Sequence, residues 1–229
     1  KILLHNEAKL VHVSGHVDEL PILEDSEFGV AERCMKLVRM VEMYQYTEHK
    51  TTSTRKDGRG GEIRETNYHY TSEWSSHPIP SSRFDDPSFS NPTHWPLQSS
   101  TEAARTVRMG AWQLDKHVLD HVGVTHTVDL AGQDIPLLKP GYLLNDGKVD
   151  GKQHRVNRQL QPHARPAELS SNRIYFGNAY SPVVGDIRVS WQAVTADRVS
   201  VVGQQRGNSF GPFPTRAGDD ILLVFCTPG

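Results

Sequence analysis

TRKDGRGGEIR, Thr54 to Arg64, decides how the first third of the chain is read. Asp57-Gly58 and Gly60-Gly61 accept positive φ at little cost, so the backbone can reverse tightly here. Before it lies KLVRMVEMYQYTEH (Lys36 to His49), free of Gly and Pro and rich in β-branched and aromatic residues. By itself that run fits a strand or a helix. After it, ETNYHYTSEW (Glu65 to Trp74) places Tyr68, Tyr70 and Trp74 at every-other-residue spacing, and an extended chain points alternate side chains to one face. A reversal between two such runs predicts a long antiparallel hairpin with arms Leu37 to Glu48 and Ile63 to Trp74. Val38, Met40, Tyr44 and Tyr46 of one arm are expected to face Tyr68, Tyr70 and Trp74 of the other, in cross-strand pairs of about 0.2–1 kcal/mol each. The aromatic row is accordingly read as core rather than as an open platform for a small ligand or glycan.

Working outward, KLVHVSGHV (Lys9 to Val17) alternates as a strand does, with Gly15 marking a bulge or close approach. Near the other end, GDIRVSWQAV sets Ile187, Val189, Trp191 and Ala193 on one face and polar residues on the other. TAD turns it, RVSVVGQQRG returns and DDILLVF follows, so Ile187 to Val194, Val199 to Gln205 and Ile221 to Phe225 are predicted as an antiparallel meander. Ser75 to Ser100, full of Ser, Pro, Asn and Asp, reads as an irregular loop of the length that is usually functional. Gln113 to Val122 carries Leu114, Val118, Leu119 and Val122 at helical spacing, which predicts a short helix near Asp115 to Val122. The basic tract from Asn145 to Pro166, with Arg155, Arg158 and Arg165, is a solvated connection or a dock for an acidic partner. The fold class is mainly β, α+β at most: antiparallel hairpins and a meander with one short helix and long irregular insertions. One β-rich domain is expected over residues 1–229, with core blocks 10–75 and 180–225 and a helix-and-loop insertion over 76–179.

With 229 residues, 36% hydrophobic and 23% charged, the chain can bury a substantial core and has no disordered signature. A net charge of −2 supplies no general attraction to nucleic acid or to an anionic bilayer, so no nucleic-acid partner is expected. No run approaches the roughly 20 apolar residues of a membrane helix; the best is ILLVF, Ile221 to Phe225. Because it begins at Lys1 without Met and stops at CTPG after that apolar run, the chain is expected to be a piece of something longer. The two cysteines, Cys34 and Cys226, either sit as small buried hydrophobes or pair with one another. Phosphate loops, nucleophile elbows, dinucleotide fingerprints and His-Glu-x-x-His pairs are absent from the sequence, and no cofactor is expected. In DKHVLDHVGVTH, His117 and His121 are four apart and His126 lies just beyond, a spacing that could grip a divalent metal if a third ligand joined the pair. Asn91 in NPT is blocked as a glycan acceptor by its proline.

SEFGV, KLVRMVEMYQYTE, ETNYHYTSEW, VGDIRVSW and QQRG followed by PFPTRAGDDILL occur in an order and spacing that resemble the transmembrane protein 43 family, also called LUMA. The blocks span residues 10–75 and 180–225; Pro78 to Ser171 is similar only around VRMGAWQLDKHVLDHV. The resemblance implies a luminal domain of the endoplasmic reticulum and inner nuclear membrane, tethered by membrane helices outside this chain. It further implies a non-catalytic scaffold that organises membrane-protein complexes, with membrane-protein partners and self-association, and it carries no catalytic residues. The alternative is a metal-dependent hydrolase or small-ligand-binding domain with a site near residues 75–126, using His117, His121 and His126.

Overall fold

The computed structural model describes residues 2–56, 58, 61–122, 126–131, 133, 148–149, 152–153, 167–170, 172–215 and 217–227. In chain order the first strands are β1 (Leu10–His16), β2 (Ile22–Asp25), β3 (Val30–Arg33), β4 (Lys36–Lys56) and β5 (Glu62–Ser75). After a long loop come β6 (Ser100–Ala103), β7 (Thr106–Met109), β8 (Trp112–Asp115), one helical turn α1 (Lys116–Leu119) and β9 (His126–Thr127). Next are β10 (Lys148–Val149), β11 (Lys152–Gln153), β12 (Ala167–Ser170), β13 (Arg173–Phe176) and β14 (Ile187–Val194). The last are β15 (Arg198–Arg206), β16 (Ser209–Gly211), β17 (Phe213–Pro214), β18 (Asp220–Ile221) and β19 (Leu223–Thr227). The protein is mainly β, and its described strand pairs are antiparallel.

A seven-stranded sheet runs β12-β13-β14-β4-β5, with β6 added to β4 and β9 to β14. A four-stranded sheet is centred on β15, which pairs with β1, β16 and β19. Each sheet covers its own hydrophobic cluster. Leu37, Val41 and Met43 of β4 join Ile187, Val189, Trp191 and Ala193 of β14, with Phe28, Leu97 and Ile174, in the first. Val199 and Val201 of β15 join Val107, Met109, Trp112, Leu114, Val118 and Leu119 in the second. β14 is buried on both faces and links the two, because Val194 belongs to the second cluster.

The hairpin forms as predicted, but its fully buried face is the other one. Leu37, Arg39, Val41, Met43 and Gln45 are buried, while Val38, Met40, Tyr44 and Tyr46 are only half-buried. Two faces of one strand carry similar apolar content here, so alternation shows that the faces differ without showing which is drier. The inward face also carries ions. Arg39 is 7% exposed; its Nη1 donates to both carboxylate oxygens of Asp25 at 3.1 Å and lies 2.6 Å from Oε2 of Glu27. Trp191 Nε1 donates to Asp25 Oδ2 at 2.9 Å, and Phe28 packs edge-on to Trp191 with ring centroids 5.1 Å apart.

Three other expectations are corrected. β14 and β15 are not successive strands of one meander: β4 takes one edge of β14 and β13 with β9 the other, so β15 crosses to the second sheet and pairs with β1, β16 and β19. The helix is confined to Lys116–Leu119, capped by Asp115 Oδ1, which accepts from Val118 N at 3.2 Å. Leu114 belongs to β8, whose alternating Trp112 and Leu114 point inward as a strand requires. The apolar run at 221–225 is divided: Asp220–Ile221 pairs with Phe213–Pro214, while Leu223–Thr227 pairs with β15. Leu222, Val224 and Cys226 pack inward against the second cluster, leaving Leu223 and Phe225 exposed. A wholly apolar run has no period from which that choice could be read.

Candidate functional site

From Met43↔Ser75 to Lys56↔Glu62 the β4–β5 register is unbroken. It sets Tyr44 opposite Trp74, Glu48 opposite Tyr70 and Lys50 opposite Tyr68. Tyr44 and Trp74 are 5.3 Å apart at their ring centroids. The loop after β5 roofs this row: Phe89 stacks on Tyr70 at 4.0 Å and 7°, and meets Tyr46 edge-on at 5.1 Å. The row is therefore a half-buried second layer, neither the main core nor an open platform. Trp74 is shielded on its own side, with the Arg188 guanidinium 4.7 Å from its ring and Tyr175 edge-on at 6.0 Å. Arg188 is in turn aimed by Glu42, to whose oxygens its Nε and Nη2 donate at 2.7 and 2.8 Å. Burial, then the hydrogen bond that Tyr70 donates to Glu48 Oε2 at 2.7 Å, holds the Tyr70 phenol above its usual pKa.

The roof is tied down by two side-chain amides, Gln45 on β4 and Asn91 in the loop itself. Gln45, fully buried, donates from Nε2 to His77 O at 3.0 Å and accepts from Ile79 N at 2.9 Å. Asn91 accepts from Tyr46 N at 2.7 Å and donates to Tyr46 O at 2.9 Å. Its side chain thus replaces a neighbouring strand where β14 has ended. Ser99 Oγ accepts from Val41 N at 3.0 Å in the gap between β6 and β5. A depression of about 450 Å³ remains in the loop, lined among others by Pro80, Phe84, Phe89 and Asn91.

Past the roof, the hairpin leaves the body. Residues 49–56 of β4 and 62–65 of β5 are exposed on both faces. They are joined by polar cross-strand contacts: His49 Nε2 and Thr71 Oγ1 are 2.8 Å apart, Thr52 and Thr66 hydroxyls 3.4 Å, and Lys50 Nζ is 5.6 Å from the Tyr68 ring centroid. Lys56↔Glu62 closes the ladder; Asp57, Arg59 and Gly60 of the predicted turn lie outside the described residues. So does most of the basic tract, including Arg155, Arg158 and Arg165.

His117 and His121 come together at the end of α1 with ring centroids 5.7 Å apart and nearly perpendicular. Beside them Lys116 Nζ donates to both oxygens of Asp120 at 3.0 Å and holds that carboxyl below its usual pKa. His126 is on β9, with Nδ1 3.4 Å from Thr195 Oγ1. Among the described residues no group of three or more His, Cys, Asp and Glu is placed to hold a metal ion. Cys34 and Cys226 are both free, one in each cluster. Burial, followed by the nearby Glu32 charge, pushes the Cys34 thiol up to about 12, so it stays protonated and unreactive.

The residues of this arm, its roof and the strands beneath fall in one stretch, 43–227, that matches the family model for transmembrane protein 43. The chain belongs to the transmembrane protein 43 family. It is 29% identical to human transmembrane protein 43 over 232 residues, which covers 96% of this chain and 51% of the human protein. The mouse protein is 28% identical with the same coverage, and the transmembrane protein 43 homolog of Drosophila melanogaster is 25% identical over 96% of this chain and 52% of its own length. The chain thus spans about half the length of the curated relatives it matches. No solved structure matches it. Family membership makes it part of a membrane-protein family, while among the described residues no helix is long and apolar enough to cross a membrane.

Sequence reasoning found the arm and the aromatic row but missed the roof's anchors and the Asp25–Arg39 pair. One signal was present: Arg39 stands between Leu37 and Val41 at the spacing of an inward face, which calls for a buried partner. Nothing local in Asn91 distinguishes it from an ordinary loop residue.

Proposed function

We propose that this chain is a non-catalytic interaction domain that organises membrane-protein complexes on the luminal side of the endoplasmic reticulum and inner nuclear membrane. The projecting arm carries this reading. A two-stranded ribbon without a hydrophobic face is marginal in water, and ordering its backbone costs on the order of 1–2 kcal/mol per residue. Residues 49–56 and 62–65 bury nothing in the core, so their length serves something outside the body. The tip mixes Lys50, Arg55, Lys56 and Arg64 with Glu62 and Glu65, a surface for polar protein contacts rather than for the uniform charge of nucleic acid.

Thr51 and Asn67 are partners in the ladder, so Thr52 to Thr66 can be replaced by Asn-Gly to close a shorter hairpin. In the full-length protein this change is expected to leave the melting temperature intact and to remove most partners recovered by cross-linking in membranes. Unchanged recovery would refute the arm as the interaction surface. Placement has a separate test. An epitope inserted at Gly58 should resist protease in sealed microsomes and be cut only after detergent, and cleavage in intact vesicles would move the domain to the cytosolic side.

A further inference from the structure

The outer edge of β5 is the second feature of the arm that the body does not use. Tyr44 N donates to Asp186 O and Tyr46 N to Asn91 Oδ1, both on the side of β4 away from β5. Even-numbered residues of β4 therefore turn their backbone groups away from β5, and odd-numbered ones face it. By the register Thr51↔Asn67 and Thr47↔Thr71, odd residues of β5 meet them. The backbone groups of Glu62, Arg64, Thr66, Tyr68, Tyr70, Ser72 and Trp74 consequently point to an open edge, and β5 pairs with β4 alone among the described strands. This edge is 14 residues long, against about 5–6 for an ordinary strand. Folded proteins blunt exposed edges with proline, bulges or short strands. Glu62 to Ser75 contains neither Pro nor Gly, and its register has no bulge.

We propose that this edge pairs with the same edge of a second copy of the chain, antiparallel, about a two-fold axis through Asn67. The sequence is self-complementary in that register. Arg64 falls opposite Tyr70 and next to the Tyr70–Glu48 hydrogen bond, Glu65 opposite His69, Thr66 opposite Tyr68, and Asn67 opposite itself. No like charges face each other. A register centred two residues on, at His69, would instead oppose Glu65 and Glu73, which is destabilising. The even residues then exchange about a dozen backbone hydrogen bonds across the axis, and the isologous contact closes on itself rather than extending into a fibre. Glu65 and His69 form a pair without backbone hydrogen bonds between them, the kind whose side chains lie closest.

The inference rests on the arm being an interaction surface, and its test is separable from that reading. In the full-length protein in its own membranes, Asn67→Cys places two thiols across the axis with Cα atoms about 4.5 Å apart, inside the roughly 4.4–6.8 Å range of disulfides. Glu65→Cys or His69→Cys alone leaves the like thiols roughly 13 Å apart at about 3.3 Å per residue. Mild oxidation should yield disulfide-linked dimer from Asn67→Cys roughly tenfold above either single variant, following that geometry. Differently tagged Glu65→Cys and His69→Cys copies, co-expressed, should cross-link to each other. Equal yields from all three single variants, or none from Asn67→Cys above the unaltered chain, would overturn the proposal. If Asn67→Cys fails while the shortened arm still loses its partners, self-pairing alone is wrong. If Asn67→Cys cross-links while the shortened arm keeps its partners, the edge is a dimer contact and the partner-binding reading is wrong.

Discussion

Trp191→Ala is expected to lower stability by about 3–5 kcal/mol, a large part of what an ordinary domain has in total. The side chain is completely buried in β14, beneath Phe28 and among the residues that join β14 to β4. Truncation leaves a cavity that close-packed neighbours fill only in part. It also removes the indole N–H from Asp25, so Oδ2 of that buried carboxylate loses one of its two donors and keeps only Arg39 Nη1. Trp74 makes the informative contrast. It lies in the half-buried row, with Tyr44, Tyr175 and Arg188 around it, and solvent can reach the space it leaves. Trp74→Ala should therefore cost about 1–2 kcal/mol, in the ordinary range for a single substitution. Urea unfolding of the two variants side by side checks the order, and a loss at Trp74 equal to that at Trp191 would contradict the placement of the main core.

Arg39→Met should destabilise the protein by about 3–5 kcal/mol, because it strands a buried carboxylate without its counter-charge. Asp25 is 7% exposed, and Arg39 reaches both of its oxygens while also contacting Glu27, the Gln98 carbonyl and the face of Phe28. Removing the guanidinium leaves Asp25 with the Trp191 N–H and local backbone only. Replacing both ions together, Asp25→Leu with Arg39→Met, should recover a good part of that loss, since apolar residues of similar volume often substitute for a buried ion pair with little cost. A double-mutant cycle by chemical denaturation measures this directly. A double variant no more stable than Arg39→Met alone would mean that Asp25 matters chiefly through Trp191 and the turn that follows it.

The elements legible in the sequence were those whose signal is local. Glycines at a reversal and alternation in the flanking runs were enough for the β4–β5 hairpin, and alternation again for β1, β14 and β15. The family resemblance rested largely on long blocks in β4, β5 and β14, and the match over 43–227 agrees with it. What local pattern could not provide was the ranking of surfaces. Tyr68, Tyr70 and Trp74 alternate as cleanly as Leu37, Val41 and Met43, yet a sheet buries one face more deeply only because of what is packed against it. Phe84 and Phe89, which roof the row, come from a proline-rich loop with no period at all, and the amides of Gln45 and Asn91 hold that loop through backbone groups far away in sequence. His117 and His121 lie side by side because four-residue spacing is itself local, whereas the position of His126 depended on which strand it joined. Alternation sorts side chains between two faces; only the packing of distant segments decides which face is dry, which is roofed and which edge stays open.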